Sequence, residues 1–428
     1  MEIEKLYGFF QHCTGVSTDT RAIRPGNMFF ALRGERFDGN RFAAEALGKG
    51  AVRVVVDDAN VVQDDRYILV PDGLTALQNL AKYHRNRLKI PFIGLTGSNG
   101  KTTSKELLSA VLAKKYRVFA TKGNLNNHIG VPLSVLSVTA KTEIAVIEMG
   151  ANHVGEIAAL CTIAQPTHGF ITNIGKAHIG TFGGFENIIR GKTELYQYLL
   201  EHGGVVFINS QNPILMRQAH RFKNPVLYPA KGDYFHCELV AADPFVRIRT
   251  ESGMEIQTQL PGKYNFENIA VALCIGKFFG VAESAAAEAV AAYVPANMRS
   301  QVVQKGSNTI LLDAYNANPT SMRAALENLA DMKAERKVVI LGDMYELEEE
   351  AEKEHREIGR LLAELDLTEV YLCGKLMRSA AEVFPVARYF EDKEKLTDYL
   401  KKHPITQATI LIKGSRGMAL ESVADYLQ

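Results

Sequence analysis

Residues 94–103 read Gly-Leu-Thr-Gly-Ser-Asn-Gly-Lys-Thr-Thr, directly after the strand-like run Ile90-Pro91-Phe92-Ile93 and before a helical pattern with Leu107, Leu108, Val111 and Leu112. A glycine-rich turn between strand and helix is where a chain can cradle phosphate. Backbone N–H groups close on the oxygens, and the following helix points its positive end at the anion. Gly97, Ser98, Asn99 and Gly100 would line this turn, Lys101 would reach the terminal phosphates, Thr102 would offer a hydroxyl to magnesium, and Thr103 would complete the set. Gly97 and Gly100 stand closer together than in the general motif. The setting predicts a nucleoside triphosphate site.

Glu148 closes the apolar run Glu143-Ile144-Ala145-Val146-Ile147-Glu148. A carboxylate at the end of a buried strand, beside a phosphate loop, suits magnesium, which favours sites shared by carboxylate and phosphate oxygens. His178 lies just past a strand-like run ending near Ile174, at the ligand-facing end; taken alone, a loop histidine is more often structural than functional. In the helical pattern from Glu186 to Glu201, Ile188, Lys192, Leu195 and Leu199 share one face, so the lysine sits within the apolar stripe. Two readings stay open there, a snorkelling ammonium in water or an inward lysine with chemistry.

Alternating strand and helix patterns position these groups. Residues 1–89 carry strand candidates at 28–32, 52–56 and 67–70 and a helical pattern from Leu74 to about Leu88, which reads as a small α/β domain. Residues 90–296 alternate strands at 117–120, 144–148, 169–174 and 205–209 with helices, predicting a mostly parallel sheet with ligands at its carboxyl ends. Residues 297–428 restart the alternation at 310–313, 337–341, 369–373 and 409–413, predicting a smaller doubly wound, Rossmann-like domain. The length of 428 residues fits three domains, and a formal net charge of +1 gives no electrostatic reason to expect nucleic acid or a membrane surface as partner. Cys13, Cys161, Cys237, Cys274 and Cys373 are scattered without metal-type spacing, and no apolar run reaches the ~18 residues of a membrane span. A cytoplasmic protein with reduced thiols is expected.

With these motifs in place, the chain resembles the Mur ligase superfamily. The resemblance is carried by Ser17-Thr18-Asp19-Thr20-Arg21, Gly26–Gly34, Thr96–Thr103, Gly123–Pro132, Ile147–Asn152, Ala177-His178, Gly191-Lys192-Thr193-Glu194 and Tyr264-Asn265-Phe266-Glu267-Asn268. The C-terminal third adds Asp313-Ala314-Tyr315-Asn316-Ala317-Asn318-Pro319, Leu341–Met344 and Lys413–Gly417. The shortened phosphate loop is normal in this family. Ile179-Gly180 and Thr193 depart from common versions, which bears on neighbouring contacts more than on the ligands.

The resemblance implies three α/β domains and an ATP-dependent amide ligase of peptidoglycan synthesis, in particular the activity that joins D-alanyl-D-alanine to a UDP-N-acetylmuramoyl tripeptide through an acyl phosphate. It implies that Lys192 takes up CO₂ as a carbamate, that Thr102 and Glu148 hold one Mg²⁺, and that His178 and carbamylated Lys192 hold or support a second. Lys101, Lys192, His178 and Glu148 form the implied catalytic set. Asn265 and Asn268 match the adenine-contacting position, and Arg299 and Asp313 match the grip on phosphate and ribose. Ser17, Arg21 and Arg33 fall in motifs of the UDP-sugar domain, Asn126 and Asn127 in a contact to peptidyl substrate or phosphate, and Asn316 and Asn318 in a contact to the dipeptide. Any one of these asparagines also fits a plain helix cap or turn. A monomer is expected. A sister ligase, a folylpolyglutamate synthetase and a nucleotide-dependent switch are the rivals; the N-terminal sugar motif and Asn316–Pro319 oppose the first two, and an inward Lys192 would oppose the third.

Overall fold

The computed structural model describes residues 2–35, 37–295 and 298–427. Its N-terminal part holds a parallel sheet in the order Gly15–Ser17, Asn27–Phe30, Arg53–Val56, Tyr67–Leu69. The helix Gly73–Arg85 follows, capped by the Asp72 carboxylate accepting from Thr75 N. This helix turns Leu77, Leu80 and Ala81 into a core shared with Val131, Val135 and Leu160 of the next domain. Arg85 fastens the seam by donating to the carbonyls of Ala164 and Gln165, both at 2.9 Å, with its guanidinium 3.8 Å over the Phe92 ring.

The central sheet is parallel throughout, ordered Val226–Tyr228, Val205–Asn209, His168–Ile171, Phe92–Thr96, Ile144–Glu148, Val118–Ala120. The phosphate-loop strand is flanked on both sides, which explains its unbroken burial. Helices Lys101–Leu112 and Asn265–Phe278 cover one face, and Glu156–Ala164 and Phe185–Glu201 cover the other. The strand expected to run to residue 174 ends at Ile171, because the next residues turn to meet the phosphate loop: Asn173 O accepts from Ser98 N. An antiparallel sheet of Cys237–Ala241, Arg247–Thr250 and Glu255–Gln257 is an addition to the expected pattern.

The C-terminal sheet is ordered Gln301–Lys305, Asn308–Asp313, Thr409–Lys413, Lys337–Gly342, Glu369–Cys373, Arg388–Phe390, parallel except for its first strand. Helices on both faces make it doubly wound, in keeping with the expected α/β architecture. The expected boundary at 296/297 lies outside the described residues.

Candidate active site

All three domains line one cleft of about 960 Å³. Gln78 and Lys82 of the N-terminal helix, Ser98–Thr103 of the phosphate loop, Asn126, Asn127, Glu148 and His178 of the central domain, and Arg299, Asp313, Asn316 and Asn318 of the C-terminal domain meet there. Ser17, Arg21 and Arg33 do not line it. Ser17 closes the strand Gly15–Ser17 and Arg33 follows the strand Asn27–Phe30 of the N-terminal sheet, with Arg33 Nε 2.7 Å from Asp57 Oδ1, while Arg21 pairs with Asp19 in solvent.

The loop is built by its glycines. Gly97 has φ +145°, and a Cβ there would lie 1.9 Å from Thr172 Oγ1; Gly100 has φ +77°, and a Cβ there would lie 2.4 Å from Asn268 Oδ1. Any side chain at either position would break the turn. Asn268 is therefore part of the loop's support. Its Oδ1 accepts from Ser104 Oγ at 2.8 Å and its Nδ2 donates to Asn265 Oδ1 at 2.9 Å. Asn265 in turn donates to Pro261 O. Both asparagines reach the cleft, with much of their bonding capacity spent on the scaffold.

Lys101 begins the helix, and its ammonium donates to the carbonyl of Gly97 at 2.7 Å, within the turn itself. Burial lowers its pKa. Two residues after Gly100, Thr102 Oγ1 donates to Glu148 Oε2 at 3.0 Å, and Asn126 Nδ2 donates to Oε1 at 2.8 Å. Glu148 is 2% exposed. Burial pushes its pKa up, but Lys105, Lys101, the Asn126 amide and Arg299 more than offset it, so the carboxylate is held below its ordinary range. A hydroxyl and an ionised carboxylate oxygen in contact at the mouth of a phosphate loop are a donor set that fits Mg²⁺ completed by phosphate oxygens. Among the described residues, no three His, Cys, Asp or Glu side chains gather into a metal cluster, so protein groups alone do not complete such a site.

Lys192 takes the inward alternative. It is 1% exposed, and its Nζ donates to Ala151 O at 3.0 Å and lies 5.2 Å from the Phe182 ring centroid. Burial, reinforced by the charge of Lys101 and opposed by Glu156 and Glu194, brings its pKa well below the usual lysine range. It sits behind Ala151 and does not itself line the cleft. His178 does, at φ +56°, with Nδ1 2.7 Å from Glu346 Oε2 of the C-terminal domain. That approach is an ion-pair distance without the alignment of a hydrogen bond, as Nδ1 has no aligned partner.

The C-terminal domain closes on the loop through polar contacts. Asn318 Nδ2 donates to Asn99 Oδ1 at 2.7 Å, while its Oδ1 caps the helix Pro319–Asp331 by accepting from Ser321 N. Lys176 joins Glu354 at 2.6 Å, and Gly180 packs so near Leu347 that a Cβ would come within 2.7 Å of its carbonyl carbon. Asn316 accepts from Ala317 N with its own side chain, so its Nδ2 is the freer of the two amides toward the cleft. Asp313 is held by Lys413 at 2.5 Å, and Arg299 stacks on Tyr315 at 3.7 Å. Asn318→Ala should cost about 1 kcal/mol of stability as a lost cap, and it should also loosen the joint to the loop. Thermal melts of the variant beside Asn316→Ala, expected to melt like the parent, check this.

Family models match along the length: "Mur ligase family, catalytic domain" over residues 12–85, "Mur ligase middle domain" over 95–276 and "Mur ligase, glutamate ligase domain" over 298–416. A UDP-N-acetylmuramoyl-tripeptide–D-alanyl-D-alanine ligase of Bacillus subtilis is 37% identical over 96% of this chain and 93% of its own. The chain belongs to the Mur ligase family. The Escherichia coli protein of the same name is 34% identical over 96% of this chain and 93% of its own. A crystal structure of MurF from Acinetobacter baumannii superposes with a TM-score of 0.88 at 30% identity, covering 99% of this chain and 98% of that one. MurF from Thermotoga maritima, solved in complex with ADP, gives a TM-score of 0.84 at 28% identity over 97% of both chains. Among the described residues of this Mur ligase family member, no helix is long and apolar enough to cross a membrane.

Two contributors escaped the sequence reading. Lys105 is buried against Glu148 at 3.2 Å, and Glu346 meets His178 across the domain joint. Lys105 lies three residues after Thr102 on the same helix face, which was a usable signal. Nothing local marks Glu346.

Proposed function

We propose that this Mur ligase family member is an ATP-dependent acid–D-amino-acid ligase. It joins D-alanyl-D-alanine to the terminal carboxylate of UDP-N-acetylmuramoyl tripeptide and yields the pentapeptide precursor of peptidoglycan. The observation that carries this is the single cleft onto which the phosphate loop and residues of all three domains open. It is supported by full-length relatives that bear this activity in their names.

In this reading residues 1–89 hold the UDP-sugar, with Ser17, Arg21 and Arg33 at the sheet end; residues 90–296 bind ATP; and residues 297–428 bring the dipeptide. A carboxylate resists an amine because it is anionic and has no leaving group. Phosphorylation by ATP supplies one. The loop N–H groups and Lys101 stabilise the charge that develops on the moving phosphoryl group, which preorganised donors do without reorganising during the reaction. Arg299 and Asp313 hold the nucleotide from the other wall, beside Asn265 and Asn268. Asn126 and Asn127 contact the peptidyl substrate or the phosphate, and Asn316 offers its amide to the dipeptide. Closure of the domains puts amine and acyl phosphate within reach and keeps out the water that would hydrolyse the latter.

Thr102 and Glu148 would hold one Mg²⁺, with His178 and a carbamate formed from CO₂ on Lys192 supporting a second; bound there, the ions would neutralise phosphate charge. A neutral, buried amine at Lys192 is the form that reacts with CO₂. One chain carries every part named, so the proposed working unit is the monomer, in the cytoplasm where ATP and the nucleotide-linked precursor are found.

Phosphate release measured across a panel of UDP-muramoyl peptides and amine acceptors tests the proposal. Release that requires both a tripeptide and D-alanyl-D-alanine is expected, and release with ATP alone would refute it in favour of a switch. Asn316→Ala should raise KM for the dipeptide about tenfold, the ~1.4 kcal/mol of a lost buried hydrogen bond, and leave KM for ATP unchanged. The opposite split would reassign this loop to the nucleotide.

A further inference from the structure

Lys105 has no part in the chemistry above, yet it is 3% exposed and its Nζ lies 3.2 Å from Glu148 Oε2. That oxygen also accepts the Thr102 hydroxyl, and the other carboxylate oxygen accepts from Asn126. A buried ion pair of this kind is weak evidence for stability, since apolar residues of the same volume often serve as well. Its place is the informative part. The ammonium touches the very oxygen that, with Thr102, makes the candidate magnesium site.

The Glu148 carboxylate faces three cations, Lys105, Lys101 and Arg299. A divalent ion arriving alone at Glu148 would meet the repulsion of these three cations, whereas an ion carried by a triphosphate arrives as part of a net anion. The same field that repels the first attracts the second.

We propose that Lys105 is a resident counter-cation of this site: it holds Glu148 in ligating position and keeps free divalent ions out of the nucleotide-free protein, so that the metal enters together with the nucleotide. This rests on the reading of Thr102 and Glu148 as magnesium ligands. Lys105 is thus a positioning residue and touches no reacting atom.

Mn²⁺ is the probe, its free concentration read by electron paramagnetic resonance during titration of the full chain with and without ADP. Without nucleotide, the parent should bind Mn²⁺ no more tightly than about 1 mM, and Lys105→Met, which keeps the length and loses the charge, should bind at least about tenfold more tightly. Lys105→Arg should behave as the parent. Equal affinities for the parent and Lys105→Met, or sub-millimolar binding by the nucleotide-free parent, would overturn the proposal. Should Lys105→Met fail to fold with Glu148 unpaired, the parent and Lys105→Arg titrations decide it by the same threshold. Glu148→Gln separates the two levels of inference. If it keeps full Mn²⁺ binding in the presence of ADP, the ligand assignment itself is wrong; if it loses that binding while Lys105→Met matches the parent, only the counter-cation role falls.

Discussion

Lys101→Ala should lower the ligation rate by at least about 10³-fold, the scale on which a cation that stabilises a transferring phosphoryl group acts. The chain should remain folded. The Lys101 ammonium bonds the carbonyls of Gly97 and Ser98 within the loop and no core group, so its loss frees two acceptors at the cleft edge and opens no cavity. A single-turnover assay with the acyl-acceptor substrate, read beside a thermal melt, measures both halves. Retention of more than about a tenth of parental turnover would be incompatible with the phosphoryl-stabilising role.

The second large effect is expected at Lys192. Lys192→Ala should be nearly inactive, and millimolar bicarbonate, formate or acetate should restore part of the rate by supplying an oxygen donor in the space vacated. In the parent, ¹³CO₂ should give a carbamate carbon signal that Lys192→Ala lacks, a readout independent of turnover. A parent spectrum without that signal would remove the carbamate from the mechanism. Linkage adds a check on the bare amine. Because burial depresses the folded-state pKa of Lys192, the folded chain binds fewer protons here than the unfolded chain between that depressed value and the ordinary lysine value. Stability from this group therefore rises with pH across that window, and it is penalised below it. Lys192→Met escapes the penalty, so in CO₂-free buffer its advantage in melting temperature over the parent should shrink as pH climbs toward 10.5, the ordinary value.

What could be read from the chain follows the range of the physics involved. The phosphate loop and Glu148 were legible because both are consequences of one strand end: the register pairs Leu95 with Glu148, so a glycine turn after one strand and an acid closing the next must be neighbours. The inward turn of Lys192 was half legible. Periodicity put it on the apolar face, but only packing against Phe182 and Ala151 distinguishes burial from snorkelling. The antiparallel sheet was hidden because its strands are short and show charges such as Glu238, Arg247 and Glu255 to solvent. Asn318 shows the limit of a motif: it is a helix cap and a bridge to Asn99 at once, and only the cap is visible locally.

The seam made by the helix Gly73–Arg85 divides the molecule unevenly. The N-terminal domain shares its oil with the central one, through Leu77 and Leu80 against Val131 and Val135, and Arg85 nails the edge shut. Severed near residue 89, each fragment would expose that apolar surface and precipitate more readily than the intact chain. The C-terminal domain meets the central one through the polar pairs at Asn99, Lys176 and His178, beside an apolar joint in which Ile179 and Phe182 share a core with Met344 and Leu347. A strain at the N-terminal wall of the cleft therefore passes into the central sheet through packed side chains, whereas at the C-terminal wall part of the joint is made by ion pairs whose members Lys176 and Glu346 stand open to water and exchange with it cheaply.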